Sequence, residues 1–579
     1  MLDPRICPVG ALTIMIPLLS PQPPDRTTAA FCAPTPAEWP HERLWQGAFV
    51  LLVVLWPWIG LFGREPWKPD EAYSFGLVWS MVQGKGLIVP LLAGEPFLEK
   101  PPLFYWVAAA FAQLLRGWLP PHEAARLAIP FFMYLTFGFF AATSRELYGN
   151  RRALLALALF VGGLGVFDKV HMLITDVALV AGLSIGYFGI VVGHRRPLVG
   201  GLALGLGAGI AFMSKGLLGP GLLALTVAIL LCFRSWRIRL SARLLGLAIA
   251  AASPLLLAWP LALYVESPQS FRIWLWDNNL GRFLGFVRLG ESHGAWFYPV
   301  TLLWFAFPLW PLAIWAGAAA YRQRAGTLPL QLAMVGFAVT LAVLIGAHQS
   351  RALYALPLVL PLSLAAVAGI EHAPRWAATA LRRGSIVVFE SVAVVLWGLW
   401  AAAVSGFSPL ATILAQREPG FVAAFSIPAV VVAAIATMLF AASVRGPDIS
   451  AQNAVRAWTA GLSTCWALLM TLWLPYLDYG MAYRSLASAL EQVAPRDGSC
   501  IASRGLGEPQ RAMFDYYAAI VTRRLEIDPG AQSCPWLLVQ QTGSAPTPPA
   551  SGRWAEIWRG TRPGDGRENF YLFRRIGAG

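Results

Sequence analysis

Apolar runs of about twenty residues, broken by short basic links, recur along this chain from residue 45 onward. They lie near residues 45–63, 125–143, 152–168, 177–193, 197–213, 217–233, 242–264, 296–318, 328–346, 352–370, 386–405, 423–443 and 457–477. Each approaches the length that carries a helix across roughly 30 Å of hydrocarbon at about 1.5 Å per residue. The pattern predicts thirteen transmembrane helices in segment 45–478. A further apolar stretch, 103–119, around LFYWVAAAFAQLL, sets the parity of everything after it. If it lies along the interface, alternate links gather Arg145, Arg151, Arg152, Arg195, Arg196, Arg234, Arg237, Arg239, Arg243, Arg322, Arg324, Arg375, Arg382, Arg383 and Arg445 on one side. If it spans, those links turn outward. Cytoplasmic loops are enriched in Lys and Arg, so the stretch reads as an interfacial helix, with the amino terminus inside and the carboxyl terminus outside.

The two ends carry different patterns. Residues 1–44 combine a short ALTIMIPLL, too brief to span, with the Pro-rich PQPPDRTTAAFCAPTPAEWP, and read as a disordered cytoplasmic tail. Residues 479–579 alternate helix-like YRSLASALEQVAP and EPQRAMFDYYAAI with strand-like SCIASR, RRLEI and PWLLVQQ, separated by turn clusters such as APTPPASG and RPGDG. This segment reads as a small α/β domain outside the membrane. Cys500 and Cys534 each open a predicted strand there; a disulfide and a buried free pair both fit.

Composition agrees with a polytopic membrane protein. Hydrophobic residues make up 57% and charged residues 13% of the 579, against about 25% charged in soluble domains. A single aqueous core stops growing at about 250–300 residues. The net charge of +14 sits in short links rather than in a basic tract, and no zinc-finger spacing or RNP-like pattern occurs, which excludes a nucleic-acid partner. Six cysteines are too few for a disulfide scaffold or a Cys-rich metal site.

The predicted topology sends the unusual polar residues to the outer face. Loop 64–124 holds W-K-P-D-E-A-Y-S-F, with Asp70 and Glu71 suited to general-base work or metal binding, or alternatively to capping a helix. It also holds G-E-P-F-L-E-K-P-P, where Glu99 and Lys100 precede two prolines that open the interfacial helix. A lysine at headgroup depth suits a phosphate, although a snorkelling lysine is the commoner case. Asp176 opens the fourth span, and Lys215 lies between two apolar spans, where a charge requires an acid or a phosphate as partner. Loop 265–295 contains W-D-N-N-L-G-R-F and G-E-S-H-G-A-W-F-Y-P. There Arg282 is a candidate bidentate phosphate clamp, and His293, with Glu99 or Glu291, a candidate metal ligand or substrate-orienting group. In H-Q-S-R-A-L-Y-A-L-P, Arg351 and Tyr354 share a face at the outer boundary.

In this order these motifs resemble the bacterial membrane glycosyltransferases of the GT-C type. The nearest likeness is to the lipid A aminoarabinose transferases, with protein O-mannosyltransferases more distant. The resemblance covers residues 45–480 and implies a GT-C-like helical fold with a small extracytoplasmic domain in the inner membrane. It implies an inverting transfer of sugar from a polyprenyl (undecaprenyl) phosphate to a lipid A, glycan or protein acceptor on the outer face. Asp70, with Glu71, would activate the acceptor; Lys100, Arg282, Lys215, Tyr354 and Arg351 would hold the donor phosphate. Glu99 and His293 match positions that hold a divalent metal, zinc or magnesium, in some such enzymes, and no nucleotide cofactor is implied. One departure stands out. The aminoarabinose enzymes continue D-E-x-R-Y, whereas here Asp70 and Glu71 lead to Ala72, Tyr73 and Ser74, removing a positive charge. A transporter or flippase is the competing class, but such proteins show internal repeats and midplane charges, and neither is evident in this sequence.

Overall fold

The computed structural model describes residues 40–287, 293–322, 327–445, 450–542, 553–563, 565 and 567–576. The tail 1–39, Glu291, Arg324 and the turn 545–552 lie outside the described residues. Residues 1–44 and 45–579 form separate units, and everything below concerns the second.

Every one of the predicted apolar runs contains helix. Among the described residues seven helices are long and apolar enough to cross a membrane, or ten if each of three bent pairs is one span. The bends fall between Asn150–Val161 and Leu164–His171 (67°), Phe297–Phe305 and Leu309–Arg322 (103°), and Ala451–Leu472 and Leu474–Met481 (70°). Other runs form shorter helices: Asp176–Val192 has 17 residues and Leu218–Leu230 has 13. The chain is thus a mostly helical, multi-helix membrane protein. The apolar stretch after Pro102 forms a helix of only 12 residues, Leu103–Leu114, about 18 Å long at 1.5 Å per residue.

Burial separates inner from outer helices. Ala352–His372 is almost wholly enclosed, whereas Arg375–Val404 and Ile427–Val444 expose most of their apolar surface, including Val387, Val394 and Met438. Apolar patches of that extent belong against lipid. At the centre, Asp176–Val192 packs on Pro197–Lys215 at van der Waals distance. A Cβ at Gly182 would meet the Ala211 backbone nitrogen at 2.6 Å, and one at Gly189 the Leu204 nitrogen at 2.4 Å.

Beyond residue 483 the chain forms helix Arg484–Val493 and then a five-stranded sheet. After the small outer hairpin β1 (Leu91–Leu92) and β2 (Glu95–Pro96) come β3 (Ile501–Arg504), β4 (Arg523–Arg524), β5 (Trp536–Thr542), β6 (Arg553–Thr561) and β7 (Glu568–Ile576). Their order is β4-β3-β5-β7-β6, with β4, β3 and β5 parallel and the remainder antiparallel. Helix Glu508–Ala518 crosses between β3 and β4. Cys500 and Cys534 are disulfide-bonded across the start of β3 and β5. This α/β layer packs on the helical part. Helix Glu508–Ala518 lies on helix Asp70–Val82, where a Cβ on Gly76 would meet Ala512 Cβ at 2.5 Å. Arg511 pairs with Glu95 at 2.6 Å and Arg484 with Glu65 at 2.5 Å.

Candidate active site

Asp70 is the first residue of helix Asp70–Val82, with Pro69 rather than Asp70 at the N-cap position. Its carboxylate therefore caps nothing. Instead Arg351 holds it in a bidentate pair, Nη1 to Oδ1 at 3.1 Å and Nη2 to Oδ2 at 2.6 Å. Two acceptor lone pairs of the carboxylate remain for other partners. Arg351 is 44% exposed at its side chain and Asp70 only 9%, so the carboxylate is fixed while the guanidinium beside it retains access to solvent.

From Asp70 the contacts run in a ring. One turn along, Tyr73 accepts a hydrogen bond from Lys100 Nζ at 2.9 Å, and the ammonium lies 5.3 Å from the tyrosine ring centroid. Burial works against the Lys100 charge, but Tyr73, Tyr105, Asp176 and Glu99 hold the ammonium well above its ordinary pKa. Adjacent Glu99 pairs with Arg282 at 3.3 Å. Arg282 Nε donates to the side-chain carbonyl of Gln349, two residues before Arg351. On the same link Tyr354 presents its ring 4.4 Å from Lys215 Nζ, and Lys215 donates to Asp176 at 2.5 Å. Asp176, 1% exposed, has its second oxygen buried without a partner among the described residues.

Local sequence explains how the cations are held. Lys215 ends helix Pro197–Lys215, where the helix dipole favours a positive charge. Gly216 follows at φ +64°, and a Cβ there would come within 2.1 Å of Asn279 Oδ1. That oxygen accepts from the Leu217 amide at 3.3 Å, tying the Lys215 turn to loop 265–295. The loop itself is a π-helix, Ile273–Gly281, leading directly into Arg282. Such wide turns are rare and cluster at functional sites. Asn279 steadies this one by donating to the Trp274 carbonyl at 2.8 Å.

Glu71, grouped with Asp70 on sequence, lies outside the ring. It is 1% exposed and sandwiched between Arg64 and Arg126, with Arg126 Nε at 2.8 Å. Burial would raise its pKa, but Arg126 and Arg64 outweigh that and hold it at about 2. Both oxygens are engaged, the second also by the Trp67 amide at 3.3 Å. Arg126 further donates to the carbonyls of Leu61, Arg64 and Glu65. Glu71 is therefore an anchor that fixes the turn carrying Asp70.

The metal expectation finds no three-ligand set. Among the described residues no three His, Cys, Asp or Glu side chains come together to hold an ion. Glu99 is committed to Arg282, and His293 is exposed with its ring stacked 4.5 Å from that of Phe297.

Tyr73, Gln349, Asn279, Arg64 and Arg126 escaped the sequence reading. Tyr73 and Gln349 were findable by spacing, one turn after Asp70 and two residues before Arg351. Asn279 needed the π-helix, and Arg64 and Arg126 meet across 62 residues. Beside Glu99 opens a cavity of about 440 Å³, lined also by Gln269, Ser270, Asn278 and, from the α/β layer, Glu508. Burial and the neighbouring Glu99 raise the Glu508 pKa.

Four cations linked through Tyr73, Asp176, Glu99 and Gln349 to one fixed carboxylate form the candidate site on this many-helix fold. The chain is similar to membrane glycosyltransferases of the GT-C type. The family model described as dolichyl-phosphate-mannose-protein mannosyltransferase matches residues 99–264, a stretch that includes Glu99, Lys100, Asp176 and Lys215. The undecaprenyl phosphate-alpha-4-amino-4-deoxy-L-arabinose arabinosyl transferase of Pseudomonas savastanoi pv. phaseolicola is 27% identical over 357 residues, covering 60% of this chain and 65% of that protein, just under two thirds. Its counterpart in Pseudomonas aeruginosa (strain UCBPP-PA14) is 27% identical over 443 residues, 71% of this chain and 73% of the relative. ArnT from Cupriavidus metallidurans, solved with undecaprenyl phosphate, shares the fold with a TM-score of 0.66 at 14% identity, over 93% of this chain and 98% of that one. Within that class, the likeness in sequence and in fold is to the ArnT-type arabinosyl transferases.

Proposed function

We propose that this enzyme moves a sugar from an undecaprenyl-phosphate carrier onto lipid A at the outer face of the inner membrane, inverting the anomeric carbon. The observation carrying this reading is the ring itself. Arg351 pairs with Asp70, and Lys100, Lys215 and Arg282, from three further segments of the chain, are linked to it through Tyr73, Tyr354 and Gln349, an arrangement suited to a phosphate leaving group beside a base. The relatives act, by name, on undecaprenyl phosphate-alpha-4-amino-4-deoxy-L-arabinose, and the sugar transferred here is assigned to that amino-pentose class.

The reaction follows from the placement. An acceptor O–H attacks the anomeric carbon from the face opposite the phosphate, and its proton passes to Asp70. The bond between that carbon and the phosphate oxygen breaks, and the electron pair leaves with undecaprenyl phosphate. Charge developing on the leaving oxygens is met by fixed cations in a partly dry site, where such interactions are strongest. Arg351 moves with the substrate, exchanging Asp70 for an anionic group and freeing the carboxylate to take a proton.

Thirteen spans, with the amino terminus inside, fit this chemistry, because they gather the ring and the α/β layer on the outer side. The Cys500–Cys534 disulfide supports that side, since such bonds persist in oxidising compartments. Mass spectrometry of lipid A from cells with and without the protein tests the proposal. The expected result is one added amino-pentose that disappears in Asp70→Asn cells, while the purified variant still binds undecaprenyl phosphate. Identical lipid A in both strains would refute it.

A further inference from the structure

Gln349 stands among the ring's cations with half of its amide unused. It is 9% exposed, on the link 347–351 that packs against the turn after Arg282. A Cβ on Gly285 in that turn would meet the His348 ring at 2.5 Å. Arg282 Nε donates to its side-chain oxygen. A guanidinium can only donate, so this contact fixes which end of the amide is oxygen. The NH2 group therefore points away from Arg282. It is buried, and it has no acceptor among the described residues.

An unmet buried N–H is costly in a folded protein, and such groups normally have a partner. Arg282, bonded to Gln349, and Arg351, two residues away, are each held by a carboxylate, and an anion that exchanges for Asp70 on Arg351 would bring an acceptor oxygen to this amide. We propose that the Gln349 amide donates to a phosphate oxygen of the polyprenyl-phosphate donor, alongside Arg282, as a further binding residue of the transfer site. This rests on the function proposed above. A neutral amide has a specific merit here. It orients Arg282 through its oxygen without neutralising it, as a carboxylate would, and adds a donor on the ligand side.

The test uses the full chain in detergent, with undecaprenyl phosphate, inorganic phosphate and undecaprenol as probes. Gln349→Met removes the amide at similar volume. Gln349→Glu keeps, and strengthens, the bond to Arg282 but replaces the donor with a negative charge. The inference expects undecaprenyl phosphate to bind at least tenfold more weakly to Gln349→Met and more weakly still to Gln349→Glu, with undecaprenol affinity unchanged. Inorganic phosphate should follow the same order if the headgroup alone is recognised. A residue that merely holds Arg282 would show the reverse: Gln349→Glu would bind undecaprenyl phosphate as well as wild type or better, and that result overturns the inference. Melting temperatures of the variants report whether they fold. If the wild-type protein does not prefer undecaprenyl phosphate to undecaprenol, the functional proposal itself fails and this inference with it.

Discussion

Lys100→Met separates phosphate binding from fold stability. The direct partner of Lys100 is the neutral Tyr73 hydroxyl, at 2.9 Å, so one ammonium N–H is used and two remain. Removing the charge orphans no carboxylate, and the fold loses one charge-assisted hydrogen bond, about 1.5–3 kcal/mol, offset by relief from burying the ammonium. The ligand loses a charge-assisted bond, about 1.5–3 kcal/mol, which is about 10- to 150-fold in Kd at 1.4 kcal/mol per decade. Lys215→Met is the contrasting case. Its partner Asp176 is 1% exposed, and leaving that carboxylate unpaired costs about 3–5 kcal/mol. Titration with undecaprenyl phosphate, alongside thermal unfolding in the same detergent, should show weak binding with a near-normal melting temperature for Lys100→Met. Lys215→Met should melt markedly lower. If Lys100→Met binds within twofold of wild type, or melts as low as Lys215→Met, the assignment of Lys100 to the phosphate is wrong.

Glu71→Gln should lower the melting temperature strongly at neutral pH, because it breaks a fully buried pair worth about 3–5 kcal/mol when one partner is lost. The Glu71 carboxyl is held at about 2 in the fold, below its ordinary value, so its stabilisation is complete above about pH 4.5 and lost as pH falls towards 2; a wild-type advantage that does not shrink across that window would contradict the buried triad. Replacing Cys500 and Cys534 together by serine opens a 34-residue loop, about 3–4 kcal/mol by chain entropy; a melting curve equal to wild type, with or without reductant, would argue against a structural bond. Glu99→Gln frees Arg282 from an ion pair at 3.3 Å and should tighten undecaprenyl phosphate binding several-fold, whereas weaker binding would show that Glu99 holds Arg282 in its working position.

The sequence located the helices well, because a 20-residue apolar run has few alternatives to helix, but among the described residues seven, or ten if each bent pair is one span, are long enough to cross against the thirteen expected. It carried the breaks poorly. Phe297–Arg322 reads as one continuous run, yet turns through 103° at residues 306–308, since hydropathy is blind to chain direction. The candidate site was legible for a similar reason: a charge at the end of an apolar run is conspicuous whatever it does. What such a charge meets is settled by tertiary packing. Asp70 and Glu71 are neighbours of one chemical type, yet one faces the exposed Arg351 and the other a sealed pair of arginines. A helix turns about 100° between successive residues, and that rotation separates an anchor from a candidate base.

Charge arithmetic links the two halves of the proposed reaction. Lys100, Lys215, Arg282 and Arg351 bring four positive charges to the ring, and Asp70, Asp176 and Glu99 bring three negative ones. One positive charge is left over, which matches the single negative charge on the donor's phosphodiester group. Transfer converts that diester into a monoester bearing roughly 1.5 to 2 negative charges near pH 7. If the leaving phosphate alone changed, the ring would become negative. The acceptor's proton, captured by Asp70, removes one carboxylate charge in the same step and raises the surplus to match. The base and the phosphate cradle therefore need to share one ring, because only then does the site stay close to neutral on both sides of the transfer.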